Sequence, residues 1–142
     1  MAYSTAMFQA VSILLFIHFK TEEGLYDYLS TRSIANMLNI PVPTVVKVLD
    51  RLNTAGLIQT KEGAKGGNLL ARPITKITML DVFTSIEQNK PLFKIQHQFN
   101  MEYDTFMQTI IDRGTASLQS AENAMKNTLG GILLSNLVEG IT

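Results

Sequence analysis

Three residues in the stretch IPVPTVVKVLDRLNTAG could act together: Thr44, Lys47 and Arg51 recur at intervals of three and four, so a helix would carry them on one face. A hydroxyl, an ammonium and a guanidinium on one stripe can hold phosphate oxygens and read the acceptor edge of guanine. The same stripe would also serve as a plain solvated face. A second stretch follows, KEGAKGGNLLARP, in which glycines lie among Lys61 and Lys65. A nucleotide-binding phosphate loop needs a strand before it, a Gly-Lys-Ser/Thr ending and a helix after it, and that ending is missing. The apolar pairs Leu57-Ile58 and Leu69-Leu70 on either side predict a β-hairpin with a long tip instead. Its glycines would let the backbone approach a phosphate chain closely, with Lys61 and Lys65 supplying charge.

Other chemistry is poorly supplied. The sequence has no cysteine, which removes disulfides, thiolate metal sites, cysteine nucleophiles and thiol redox sensing. His18 and His97 are far apart, so no metal site and no cofactor are expected. No carboxylate pair or nucleophile-base set stands at a spacing that supports catalysis, and the chain does not read as an enzyme. The seven methionines fall mostly on apolar stripes, where core is the better reading.

The elements that must position the basic residues can be read along the chain. Its 142 residues are enough to bury roughly 70 % of the unfolded surface without staples. The apolar run AMFQAVSILLFIHF is interrupted by Gln9, Ser12 and His18 before it reaches the roughly 20 residues of a membrane span, so it predicts a buried helix over 5–19. The first basic residue, Lys20, comes after that run rather than before it, unlike a signal peptide, and a cytoplasmic location is expected. At Ser30-Thr31 a hydroxyl can cap a short helix with Ile34, Ala35 and Leu38 inward, ending near Asn39. Pro43 suits the first turn of the next helix and Gly56 the position past its end, with Val45, Val48, Leu49 and Leu52 facing inward. This helix-turn-helix, followed by a hairpin, predicts a winged helix.

Beyond the wing, Thr78 can cap a helix carrying Leu80, Phe83 and Ile86, and residues 90–100, KPLFKIQHQFN, form an irregular connector. An apolar stripe through Phe99, Tyr103, Phe106, Ile110, Ile111, Gly114, Leu118, Ala121, Met125 and Leu129 then runs over about 30 residues. So long a helix projects beyond a domain this small, and its stripe is expected to bury itself against a second copy. A short helix in GGILLSNLVEGI ends the chain. The expected fold class is mainly α with a small β-wing: a winged helix-turn-helix DNA-binding domain over 1–90, then connector, long dimerisation helix and short C-terminal helix over 91–142. Residues 1–77 carry eight basic against five acidic side chains in a chain of zero net charge, which suits a first part that faces a polyanion.

The order STRSIANMLNIP, VVKVLDRLNTAGLIQTKEGAKGGNLLARP and ITMLDVFTSIE resembles the Rrf-two family of bacterial winged-helix regulators, over residues 5–90 and, with the long helix, over nearly the whole chain. The resemblance implies a homodimer with paired long helices, its helix-turn-helix in the major groove and its wing against the minor groove of a pseudo-palindromic operator. It puts Ser30, Thr31 and Arg32 at backbone phosphates, Pro43, Thr44, Lys47 and Arg51 on the recognition helix, and Gly63, Lys65, Gly66, Gly67 and Asn68 in the wing tip. Three departures stand out: a neutral N-terminus, AMFQAV, where the family commonly has basic residues and a tyrosine; Asn68 where the wing usually has tyrosine; and a connector without the three cysteines that hold an iron-sulfur cluster.

The expected function is therefore sequence-specific transcriptional regulation, as a repressor, by a homodimer on double-stranded DNA without an iron-sulfur cluster. Tyr103, Phe106, Ile110, Ile111, Leu118 and Met125 are the dimerisation candidates. Phe93, Ile95, His97 and Phe99 are candidates for sensing a small-molecule or protein effector, with dimer core as their plainer role. The alternative is a dimeric interaction module that controls a partner enzyme. No helix joins a strongly basic face to an apolar one, so no membrane partner is expected.

Overall fold

The computed structural model describes residues 3–24, 27–94 and 104–141. Helix α1, Tyr3–Glu22, buries Ala10, Ile13, Leu14 and Ile17, which fall at helical intervals on one face. Full burial of such a side chain stabilises by roughly 1.5–3 kcal/mol. Helix α2, Thr31–Leu38, is capped by Ser30, whose Oγ accepts from the Ser33 N–H at 3.1 Å. It stops at Asn39, a residue whose left-handed backbone (φ 54°) no helix can continue.

Helix α3, Val42–Thr54, starts with a proline in its first turn and packs Val45, Val48, Leu49 and Leu52 against α1 and α2. It closes with the Leu57 N–H donating to the Leu52 carbonyl at 3.0 Å, a return made possible by Gly56 at φ 76°. Strands β1, Ile58–Lys61, and β2, Gly67–Leu70, then pair antiparallel with Ile58 opposite Leu70 and Lys61 opposite Gly67. The segment before α2 joins this wing through a single bridge, Leu29 to Asn68.

Pro73 leads into one 3-10 turn, Ile74–Lys76, before α4, Met79–Glu87. The start of α4 is fixed by a capping box: Thr78 Oγ1 accepts from the Asp81 N–H at 3.0 Å, and Asp81 Oδ2 accepts from the Thr78 N–H at 2.9 Å. Helix α5, Thr105–Gly130, is 26 residues, roughly 39 Å, long. It is shorter than the stripe from Phe99 predicts: Asp104 caps it by accepting from the Met107 N–H at 3.1 Å, while Phe99 and Tyr103 lie outside the described residues.

Helix α6, Leu134–Leu137, brings the chain back. The Met79 N–H donates to Ile132 O at 2.7 Å, and the Leu134 N–H to Ile77 O at 2.9 Å. Leu134 is fully buried in the same hydrophobic cluster as α1 and α3, although it lies beyond the expected division at residue 90. The fold is mainly helical with one small two-stranded antiparallel sheet. Among the described residues no helix is long and apolar enough to cross a membrane.

Candidate nucleic-acid interface

The start of α2, the outer side of α3 and the wing meet around one cleft of about 400 Å³. Thr31 of α2, Val46, Asp50 and Asn53 of α3, and Thr60 of β1 line it, and buried Leu49 and Asn68 form its floor. Ser30 and Arg32 are exposed beside Thr31 at the N-terminal end of α2, where unsatisfied N–H groups favour an anion. Pro43 and Lys47 are exposed on α3, and Lys61 and Lys65 are exposed on the wing. Lys61 Nζ lies 5.5 Å from the centre of the Tyr28 ring, a cation–π contact that holds it against the body of the fold.

The single open stripe of Thr44, Lys47 and Arg51 needs correction. Thr44 is half-buried and Lys47 open, but the Arg51 guanidinium turns away toward α4, where Nη1 donates to the Ile86 carbonyl at 2.8 Å. The physical reason is that α4 packs along the last turns of α3, and its final carbonyls lack helical partners. The open face runs through Pro43, Val46, Lys47, Asp50 and Asn53 instead. Val46, 51 % exposed, is a branched apolar residue with the shape to meet a thymine methyl, and spacing from Pro43 is the signal that could have found it.

Two of the wing glycines are required by packing within the fold itself. A Cβ on Gly67, at φ 146°, would come within 2.5 Å of the Leu29 carbonyl oxygen, and one on Gly66 would collide with the Lys61 carbonyl. Gly66 is needed inside the hairpin, and Gly67 where the hairpin meets the segment before α2. Asn68, 2 % exposed, is a structural clamp: Nδ2 donates to Leu29 O at 3.0 Å and Oδ1 accepts from Thr60 Oγ1 at 3.2 Å. The exposed tip is Glu62, Gly63, Ala64 and Lys65.

On α5, Phe106, Ile110 and Leu118 are exposed by 70 %, 47 % and 38 %, whereas Ile111 and Met125 are half-buried. Among the described residues these side chains leave an apolar surface open on α5. Tyr103, Ile95, His97 and Phe99 lie outside the described residues, and Phe93 is exposed at the start of the connector. Periodicity passed over Glu122, which is buried on α5 and accepts from the Leu92 N–H, tethering the connector to the long helix. That hydrogen bond, with help from Lys126 Nζ at 3.4 Å, holds its carboxyl below the usual carboxylate range, against the opposing effect of burial. At the end of α4, burial pushes the Glu87 carboxyl up, against the pull of Arg51 and Lys90.

A helix-turn-helix whose second helix is flanked by an antiparallel hairpin defines the winged-helix class. Residues 3–140 match the Rrf2 family, described as iron-dependent transcriptional regulators, and the chain belongs to that family of regulators rather than to any class of enzyme. It is 27 % identical over 115 residues to YwgB of Bacillus subtilis, named as an HTH-type transcriptional regulator, covering 78 % of this chain and 72 % of that one. Similarity to YffB of Lactococcus lactis, named likewise, is 25 % over 98 % of this chain and 88 % of the relative. Among solved structures, CymR, the global cysteine regulator of B. subtilis, shares the fold with a TM-score of 0.64 at 20 % identity, covering 97 % of this chain and 96 % of that one.

A thiolate-held iron-sulfur cluster does not fit this donor set. An iron-sulfur cluster of the family type needs thiolates, and the sequence contains none. Among the described residues no three His, Asp or Glu side chains gather to hold a metal ion.

Proposed function

We propose that this regulator acts as a homodimeric, sequence-specific DNA-binding repressor on a pseudo-palindromic operator, without an iron-sulfur cluster. The observation that carries the reading is the convergence of three elements on one cleft: the α2 N-terminus, the outer face of α3 and the wing. Ser30, Thr31 and Arg32 would hold backbone phosphates from the end of α2, while Pro43, Val46 and Lys47 enter the major groove. Lys61 and Lys65 would carry the wing against the flanking phosphates. Two copies paired through the apolar side of α5 would set two reading helices about one helical turn apart, and occupancy would block transcription.

A dimer that neutralises roughly three phosphates per protomer should show a log-log salt slope of about −5 in its DNA affinity. The test is a titration of host operator fragments across a range of salt concentrations; a slope near zero would remove the mechanism. The second reading, a dimeric module that binds an enzyme, is favoured by one feature. Asp50 and Glu62 put two carboxylates on the cleft, where a phosphate chain would be repelled.

A further inference from the structure

A second cleft, of about 490 Å³, opens on another side of α3, between its last turns and α4. Its polar lining combines the guanidinium groups of Arg51 and Arg72 with the Asp81 carboxylate, the hydroxyls of Thr54, Thr84 and Ser85, and the side-chain amides of Gln88 and Asn89. Leu57 and Leu80 give it apolar walls. Arg72 is loosely committed within the fold, with its nearest carboxylate, Asp81, at 3.7 Å and a long hydrogen bond to Lys76 O at 3.4 Å. Among the described residues Arg51 gives one hydrogen bond, to Ile86 O, and a guanidinium has five N–H donors. The rim is built from unusual backbone, since Gln88 and Asn89 are consecutive non-glycine residues at φ 54° and 61°.

We propose that this cleft binds a small hydrophilic monocarboxylate as an effector. Two guanidinium forks suit the planar, bidentate geometry of a carboxylate. The formal charge of Arg51, Arg72 and Asp81 leaves one positive charge on the lining, which matches a singly charged ligand better than a doubly charged phosphate. Hydroxyl and amide side chains around the two forks suit a polar remainder such as a hydroxylated chain. A cleft of this size lies within the range of small-molecule sites.

Binding would reach the DNA face through Arg51, which belongs both to the cleft and to the hydrogen bond that ties α3 to the end of α4. A carboxylate that draws the guanidinium from Ile86 O would shift the recognition helix relative to α4 and α5. Only this consequence rests on the DNA-binding reading; occupancy of the cleft does not.

The experiment titrates the full chain, without DNA, with gluconate and with lactate at constant ionic strength, followed by amide NMR and calorimetry, with inorganic phosphate as the competing probe. Saturable binding is expected, with shifts at residues 51–57 and 84–89, weakened on the order of tenfold in Arg72→Gln. Thr54→Val, which leaves the Arg72–Asp81 pair intact, should weaken it less, and Lys47→Gln, away from the cleft, should leave it unchanged. Absence of saturable binding, binding by phosphate but not by the carboxylates, or equal binding by a folded Arg72→Gln and Thr54→Val protein would each overturn the site. A bound carboxylate that leaves DNA affinity unchanged would overturn its role as effector, whereas loss of DNA binding by the ligand-free protein would count against the proposed function alone.

Discussion

Arg51 Nη1 donates to the carbonyl oxygen of Ile86 at 2.8 Å, across 35 residues of sequence. Ile86 sits in the last turn of α4, where carbonyls have no helical partner and the helix dipole favours a cation. Helix α3 is thus fastened at its C-terminal end to the helix that also packs on α5.

Arg51→Ala should therefore reduce the stability of the fold by about 2 kcal/mol, the range for a partly buried hydrogen bond to a charged group. Arg51→Lys, which keeps the charge but loses the fork, should recover part of it. Urea unfolding midpoints for the three proteins decide the matter; an unchanged midpoint in Arg51→Ala would show that the bond contributes nothing.

Within the wing, three alanine substitutions should rank in a fixed order. Gly66→Ala and Gly67→Ala place a methyl against the carbonyls of Lys61 and Leu29 and should each cost more than about 2 kcal/mol. Gly63→Ala meets open space and suffers only the strain of φ 105°, about 1 kcal/mol. Thermal melts would reveal the ranking, and a Gly67→Ala protein as stable as Gly63→Ala would refute it.

The exposed side of α5 makes a prediction about assembly. If the proposed homodimer pairs through this side, Phe106→Asp or Leu118→Asp, each placing a charge in an apolar surface open among the described residues, should leave a monomer with the helical content kept. Sedimentation equilibrium beside circular dichroism separates loss of pairing from loss of folding. A dimeric parent whose mass is unchanged in both variants, or a parent that is itself monomeric, would contradict pairing through this side of α5.

Glu122 gives a pH dependence with a definite sign. Its folded-state carboxyl titrates below its unfolded value, chiefly through the Leu92 N–H, so its contribution is present above the usual carboxylate range and lost as pH falls through the lowered value. Glu122→Gln should flatten that part of the acid limb of stability. Glu87, shifted upward by burial, works in the opposite direction, adding stability as pH falls through its raised value. Unfolding midpoints of the parent and the Glu122→Gln protein across the acid range test the difference; identical acid limbs would contradict it.

Local signals make the helix-turn-helix, the wing and the start of α4 legible in the sequence. Ser30 and Thr78 are caps, Pro43 opens α3, Gly56 ends it, and the apolar pairs around the glycine-rich stretch mark β1 and β2. Each of these depends on a few neighbouring residues. The turning of Arg51 does not: helical spacing assigns it to the stripe of Lys47, and only the arrival of α4 some 35 residues later claims its guanidinium. Asn68 is similar, because its partner Leu29 lies 39 residues earlier in the chain. Glu122 had a local signal, since it stands on the apolar stripe between Leu118 and Met125, but its partner Leu92 is set by packing alone.

The most direct test of DNA reading is recovery and sequencing of fragments that the purified protein retains from sheared host DNA, beside a Lys47→Ala, Lys65→Ala protein. Both lysines are exposed on the face around the α2–α3–wing cleft, and neither makes an ion pair among the described residues. Enrichment of one or a few pseudo-palindromic sites by the parent, lost in the double variant, is the expected result. Equal recovery of all fragments by the parent, or the same sites held equally by the double variant at low salt, would contradict a sequence-reading role for this face.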